Sequence, residues 1–381
     1  LPNIRHYGVL DSVRDAALWY YGLFAILVLA ASDAVPDLPR RLLRAFARFV
    51  PYLLVWLPIA VLASKAGIGA HLPLTGGVKL FDVKSGDIEV DTLVAVAFLW
   101  LVPDGRRSQR ARSALSMRGL LAYALSATQN RGGALAAGLA ALIALGFLAP
   151  RQKVRVVGGA VAALAVVLGL AWTSNLTIHT NKRTFSVQQL IANAQSVTGG
   201  AAAHSQLQGT IAWREQLWST VLTKEVHSQH LVQGFGFGPN LAVIGGLPIK
   251  EATNPVLDLR NPHNSHVDVV ARMGAVGALA WVVLWGAWFA RMMSARRRWR
   301  LSGDRLTAGL VELCVVGEIA VLVNAFFDPS LEGAQAAVLA WVLFGLGLVC
   351  SRRSVGAAAA RGGAPVGKRP VMPAVMGKAP R

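Results

Sequence analysis

Residues Val267–Ala290 read VDVVARMGAVGALAWVVLWGAWFA, a run whose only charges, Asp268 and Arg272, fall near its start. A helix needs about 20 apolar residues to cross the hydrocarbon of a bilayer, so this stretch is expected to span a membrane. Immediately upstream stand Pro262-His263-Asn264-Ser265, and immediately downstream the basic Arg291, Arg296, Arg297, Arg298 and Arg300. One end of the span is therefore polar and uncharged, and the other is strongly basic. Comparable apolar runs recur at Ala16–Ala31, Phe49–Ala63, Thr92–Val102, Ala114–Ala127, Gly133–Ala149, Val154–Trp172, Thr307–Phe327 and Ala334–Cys350. With 54% hydrophobic residues, 15% charged residues and a mean hydropathy of +0.48, the composition excludes an average soluble domain. The expected fold class is all-α: a polytopic transmembrane helical bundle of about nine spans.

The net charge of +19 would suggest a nucleic-acid partner in a soluble chain, but its placement argues for none. Alternating the nine spans puts 25 of the 38 Lys and Arg on one side, in the loops around Arg40–Arg48, Arg106–Arg118, Arg151–Arg155 and Arg291–Arg305 and in the tail. The positive-inside rule makes that side cytoplasmic. The interval 175–265, the longest polar stretch, then lies outside the cytoplasm. This divides the chain into a six-span amino-terminal bundle (1–174), an extracytoplasmic loop with short helices (175–265), a three-span segment (266–350) and a basic, disordered cytoplasmic tail (351–381). The residues of that interval are therefore expected on the extracytoplasmic face of a membrane. The chain begins at Leu1 with its first residues outside, so upstream helices are expected to be missing from this piece. Cys314 and Cys350 both fall in apolar runs, which excludes a disulfide framework or a Cys-based zinc site.

The residues able to carry chemistry collect on the extracytoplasmic side. His263, at the outer end of a span, suits a base near neutral pH. Its bland alternative is a helix-start residue with Asn264 or Ser265 as the cap. Arg131, in the tight turn Thr128–Gly133, is costly at a membrane boundary unless it binds something; otherwise it snorkels. From Leu207 to Val226 the apolar spacing is helical, which puts Arg214 and Trp218 on one face. Arg214 could equally be a solvated residue beside Glu215. Two external arginines suit a phosphate-bearing ligand, because the guanidinium fork matches phosphate oxygens. The run Gly234-Phe235-Gly236-Phe237-Gly238 lacks the Gly-Lys-Ser/Thr of a nucleotide loop; it reads as a tight turn, with an anion-lining role as the rival. The His pairs His227/His230 and His263/His266 have no carboxylate or Cys set to complete a metal site. Arg272 and Glu318, at similar depths in two spans, are expected to pair across the bundle. The rival for these two is a charge relay in a transporter or flippase.

Taken in order, these motifs resemble the O-antigen ligase and polymerase superfamily. Asn130-Arg131-Gly132-Gly133 resembles its Ser-Arg-Gly motif. Arg214 and Trp218, followed by Gly234-Phe235-Gly236, are similar to its Arg…Trp…Gly-x-Gly run. Pro262-His263-Asn264-Ser265 with Gly274 and Gly277 is similar to its His-Asn-Ser…Gly…Gly block. The resemblance covers roughly residues 90–350, and Asn130 replaces the more usual Ser. It implies a glycosyltransferase that moves a glycan from an undecaprenyl-diphosphate carrier to an acceptor hydroxyl, by a metal-independent, inverting reaction without a cofactor. The acceptor would be lipid A–core, a growing glycan or a protein side chain. His263 would be the base and Arg131 and Arg214 the diphosphate ligands, with Asn264, Trp218, Gly234, Gly236 and Arg272 as further substrate contacts. The carrier's lipid tail would lie between spans.

Overall fold

The computed structural model describes residues 4–65, 84–103, 107–127, 130–174, 178–179, 184–185, 205–247 and 259–362. Most of the 175–209 stretch, the Gly67–Asp91 loop up to residue 83, Thr128, Gln129 and the tail from residue 363 lie outside them. Helices make nearly all of the described structure; among the described residues the strands are a two-residue antiparallel ladder, Ile178 with Phe185 and His179 with Thr184.

Every apolar run of the sequence lies in a helix. In order these are Ala17–Tyr20 with Leu23–Ala34, then Leu38–Lys65, Ser85–Leu101, Gln109–Ala127, Arg131–Phe147, Pro150–Ser174, Ser265–Leu301, Arg305–Phe327 and Ala334–Gly362. Five described helices are long and apolar enough to cross a membrane: Ala17–Ala34, Leu38–Ser64, Ser265–Leu301, Arg305–Phe327 and Ala334–Arg352. This is a multi-pass membrane protein. Ser85–Leu101 is shorter and opens with Asp87, Glu89 and Asp91. The Leu38–Lys65 helix also starts inside the expected basic loop, so Arg40, Arg41, Arg44 and Arg48 are helical. At the other end of the chain, helix continues through Gly362, past the expected start of the tail at Ser351.

The Ser265–Leu301 helix shows why the bundle belongs in lipid. Trp281, Trp285, Trp288 and Met292 follow the i, i+4, i+7, i+11 spacing of one face and are buried, with Trp288 stacked on Phe344 at 5.5 Å. Val276, Leu279 and Val283 form an equally apolar opposite face that is exposed. A helix apolar on both sides needs a protein neighbour on one and hydrocarbon on the other. Its basic end is fastened by Glu312, fully buried in the next helix, which accepts from Arg296 and Arg300, each at 2.7 Å.

The same helix is broken near its polar end, where Gly274 has φ 62° and ψ −160°. The backbone groups freed by the break are taken up by the glycine-rich run. Phe235 and Gly236 donate their N–H groups to the carbonyls of Ala271 and Arg272 at 2.8 and 3.0 Å. In return, Ala275 donates to Leu231 at 2.8 Å and Val276 to Val232 at 3.4 Å. The contact is backbone on backbone: a Cβ on Gly234 would lie 2.3 Å from the Arg272 carbonyl carbon, and one on Gly274 2.5 Å from that of Val232.

The expected Arg272–Glu318 pair does not form. Arg272 is 2% exposed and bonds Asp268, one turn earlier, and Asp15, from the amino-terminal segment, both at 2.9 Å. The depth comparison assumed a straight helix and ignored the break, which lies two residues beyond Arg272, and a carboxylate 257 residues away. Asp15 also accepts from Gly238 N–H at 3.0 Å and pairs with Arg260 at 3.2 Å. Glu318 is fully buried and has no ion-pair partner among the described residues.

The break predicts a contrast between a buried glycine at the join and an exposed one in the shaft. Gly234→Ala, at φ 69° against backbone, is expected to destabilise by more than about 2 kcal/mol. Gly286→Ala, with open space around it in the shaft of the helix, should be neutral or slightly stabilising. Apparent melting temperatures in detergent check both.

Candidate functional site

Four helix ends meet at the polar end of the bundle. Arg131 opens its helix behind Asn130, whose Oδ1 accepts the Gly133 N–H at 3.0 Å; Asn and Ser cap a helix by the same geometry. The next two residues allow close approach: a Cβ on Gly132 would lie 2.4 Å from Phe327 Cβ, and one on Gly133 2.1 Å from Glu89 Oε2. That seats Arg131 beside the end of the Arg305–Phe327 helix. Arg214 comes from the Ser205–Val226 helix, which buries Leu217 and Val221 against Leu241 and Ala271. Its Nη1 donates to the Phe327 carbonyl at 3.0 Å, satisfying a free carbonyl at a helix C-terminus. Its guanidinium carbon lies 5.5 Å from the Trp213 ring centre.

His263 stands between these groups, in the loop before Ser265–Leu301. Its ring meets Trp213 edge-on at 5.8 Å. It is the only non-glycine residue with positive φ (52°) among the described residues, a conformation that costs on the order of 1–3 kcal/mol. Lys84, which caps Ser85–Leu101, forms an ion pair at 2.5 Å with Asp328, the residue that ends the Arg305–Phe327 helix. The charges of Arg214, Asp328 and Lys84 all reach His263, and Arg131 reaches Arg214. Burial pushes the His263 pKa down to about 4; Arg214 and Lys84 push the same way and Asp328 opposes them. Burial likewise lowers the Arg214 pKa, with Asp328 opposing and Arg131 adding to the effect.

The three expected chemical residues, His263, Arg131 and Arg214, thus converge. The other five are occupied within the fold, two of the roles being the plainer alternatives that the sequence offered for Asn264 and the glycine run. Asn264 is the N-cap of the long helix, its Oδ1 accepting from the N–H groups of His266 and Val267 at 2.9 and 3.1 Å; its Nδ2 is buried with no hydrogen bond. Trp218 turns to the same region as Arg214, but its indole N–H is donated to the Pro262 carbonyl at 2.6 Å. The N–H groups of Gly234 and Gly236 go to the carbonyls of His230 and Arg272, so the run serves as a turn that closes on the helix break. Arg272 is locked between Asp15 and Asp268. His266 accepts from Trp281 Nε1 at Nδ1 (3.0 Å), and its Nε2 meets the Leu322 carbonyl at 2.9 Å, so both of its ring nitrogens are engaged inside the bundle. His227 and His230 contact the carbonyls of Thr223 and Gly234.

Residues 118–282 match the family model described as O-antigen ligase. The match contains Arg131, Arg214, Trp218, the glycine run, His263 and Gly274, and is narrower than the 90–350 expected from the motifs. No curated protein matches the chain. The O-antigen ligase match stops short of Lys84 on one side and Asp328 on the other, two charged residues beside His263 that sequence reasoning missed. The available signal was their position: each sits at the polar end of a helix on the same side as His263.

The His263 environment predicts a pH dependence. With its pKa below the ordinary value of 6.5, the imidazole stays neutral and able to accept a proton throughout the neutral range. For a reaction in which His263 is the base, the acid limb of kcat/KM, which reports the unliganded protein, is expected near pH 4. In kcat the limb should lie higher, because a bound anion offsets Arg214 and Lys84. A pH–rate profile with both parameters checks the order of the two limbs.

Proposed function

We propose that this protein is a membrane glycosyltransferase of the O-antigen ligase type. It moves a glycan from an undecaprenyl-diphosphate carrier to an acceptor hydroxyl at the periplasmic face of a bacterial inner membrane. The observation that carries this reading is the meeting of Arg131 and Arg214, two cations within electrostatic reach of each other, beside a neutral, half-buried imidazole. Like charges held together favour an anionic ligand that separates them. The O-antigen ligase match over these residues supports the same chemistry.

In the proposed step the acceptor oxygen attacks the anomeric carbon from the face opposite the diphosphate. The new carbon–oxygen bond forms as the bond to the phosphate oxygen breaks, which inverts the anomeric centre. The hydroxyl proton passes to His263, and undecaprenyl diphosphate leaves with the bonding pair. Negative charge grows on the leaving diphosphate, so Arg131 and Arg214 stabilise the transition state more than the bound donor. No metal is assigned a part in this reaction. Removing one such donor group costs on the order of 3 kcal/mol of barrier.

A cavity of about 320 Å³ between helices supports a place for the carrier's lipid tail. It lies among the helices Ser85–Leu101, Gln109–Ala127, Arg131–Phe147 and Pro150–Ser174 and is lined by Val96, Met117, Leu120, Gly138 and Val156. Gly138 is seven residues beyond Arg131 and hence two turns below it on nearly the same face. A prenyl chain running down from a diphosphate at Arg131 would enter it. The acceptor would be lipid A–core, a growing glycan, as in a polymerase, or a protein side chain, as in an O-oligosaccharyltransferase. Because Arg272 pairs with Asp15 and Asp268, the transporter reading loses the charge relay on which it rested.

Two measurements test the proposal. His263→Ala, Arg131→Ala and Arg214→Ala proteins, verified for membrane insertion, are each expected to lose transfer by about 100-fold or more; normal transfer by His263→Ala removes the mechanism. Gly138→Leu, which fills the cavity, is expected to raise the donor KM with little change in kcat.

A further inference from the structure

The left-handed backbone of His263 is held by a chain of side-chain hydrogen bonds that begins in another part of the fold. Asn261 Oδ1 accepts the His263 N–H at 3.1 Å. The same side-chain amide gives its Nδ2–H to Glu332 Oε2 at 2.8 Å. Between these two residues, Pro262 is held by its carbonyl, which accepts the Trp218 indole N–H. A side-chain amide turned through half a rotation exchanges its donor and acceptor ends. Here that flip would set NH₂ against the His263 N–H, two donors face to face, so the His263 N–H takes the amide oxygen and the accepting oxygen of Glu332 holds the Nδ2 end in place.

Glu332 is well placed for this. It ends the short 3₁₀ turn Ser330–Glu332, which joins the Arg305–Phe327 helix to the Ala334–Gly362 helix. Its Oε1 is buried without a hydrogen bond, leaving Asn261 as the side-chain partner of the carboxyl group. Burial and the neighbouring carboxylates Asp268 and Asp15 hold its pKa well above the usual range, against Arg272 and the Asn261 bond. A group so costly to bury would give way to an apolar one unless its acceptor were used.

We propose that Glu332 is a positioning residue for the transfer reaction: acting through Asn261, it locks His263 in the conformation that faces its imidazole to Trp213 and Arg214. The inference rests on His263 being the base, and deepens that reading by naming what aims it. Asn261 is the intermediate of the relay and Trp218 its second brace.

The test uses the full chain in detergent, with diethyl pyrocarbonate as the probe because it acylates neutral imidazole. Modification of His263 is followed across pH by peptide mass spectrometry, with the exposed His227 as internal reference. In the wild type the midpoint for His263 should be low, set by burial and by the facing Arg214, Lys84 and Asp328. Glu332→Leu and Asn261→Ala should free the ring and raise that midpoint by at least about one pH unit toward 6.5. Glu332→Gln, whose amide oxygen can still accept from Asn261, should behave as wild type. With undecaprenyl-diphosphate-linked glycan as donor, the first two variants should lose about 100-fold in kcat at unchanged donor KM, and Gln should rescue. If Glu332→Leu fails to fold, Asn261→Ala carries the same comparison. An unmoved His263 midpoint in Asn261→Ala, or a Gln variant as impaired as Leu, overturns the proposal. Failure of the base itself reads differently: His263→Ala would then keep its transfer activity, whatever the labelling shows.

Discussion

The join between the glycine-rich loop and the broken helix is the constraint on which the rest of this structure depends. A helix interrupted at Gly274 exposes carbonyls and amides that hydrocarbon cannot satisfy. The loop around Gly234–Gly236 supplies partners for four of them. The contact works only where neither chain carries a Cβ, which is why glycine stands on both sides. Around it, Asp15, Asp268, Arg260 and Arg272 form a buried ionic cluster that anchors the amino-terminal segment and the Gly238 turn to the same place. Removing one partner of such a cluster leaves an uncompensated buried charge, at a cost of about 3–5 kcal/mol.

From that join the reactive end of the molecule is assembled out of helix termini. Arg131 begins one helix, His263 precedes another, and Lys84 caps a third. Asp328 and the Phe327 carbonyl close a fourth, and the latter receives Arg214. Termini are where backbone groups are free to bind side chains or ligands, and collecting several at one level makes a polar site at the edge of an apolar bundle. Gly132 and Gly133 draw the Arg131 helix tightly against Phe327 and Glu89, while Gly138, further along it, lines the neighbouring cavity.

The sequence was legible where the signal is local. Apolar runs located the helices, and the order of Arg131, Arg214 and His263 singled out residues that the fold brings to one end of the bundle. Asn264 as a cap and the glycine run as a turn were visible as the plainer alternatives. What could not be read was tertiary. Asp15 lies 257 residues from Arg272, and nothing in the spacing of either suggested a partner. Judging Arg272 and Glu318 by depth failed because helical arithmetic assumes a continuous axis, and the axis changes direction at Gly274. Lys84, Asp328, Asn261 and Glu332 carry no motif of their own; they matter through what folding sets beside them.

The long Ser265–Leu301 helix would measure about 55 Å if straight, well beyond the roughly 30 Å of hydrocarbon. Glu312 fastens its far end, and the Gly274 interruption isolates its first turns. Ala271 and Arg272 above the break and Ala275 and Val276 below it are bonded to the same loop, and Trp281 of the shaft donates to His266 of the upper piece. The interruption is therefore a bracket held at a set angle, and the reacting groups ride on the short arm of it.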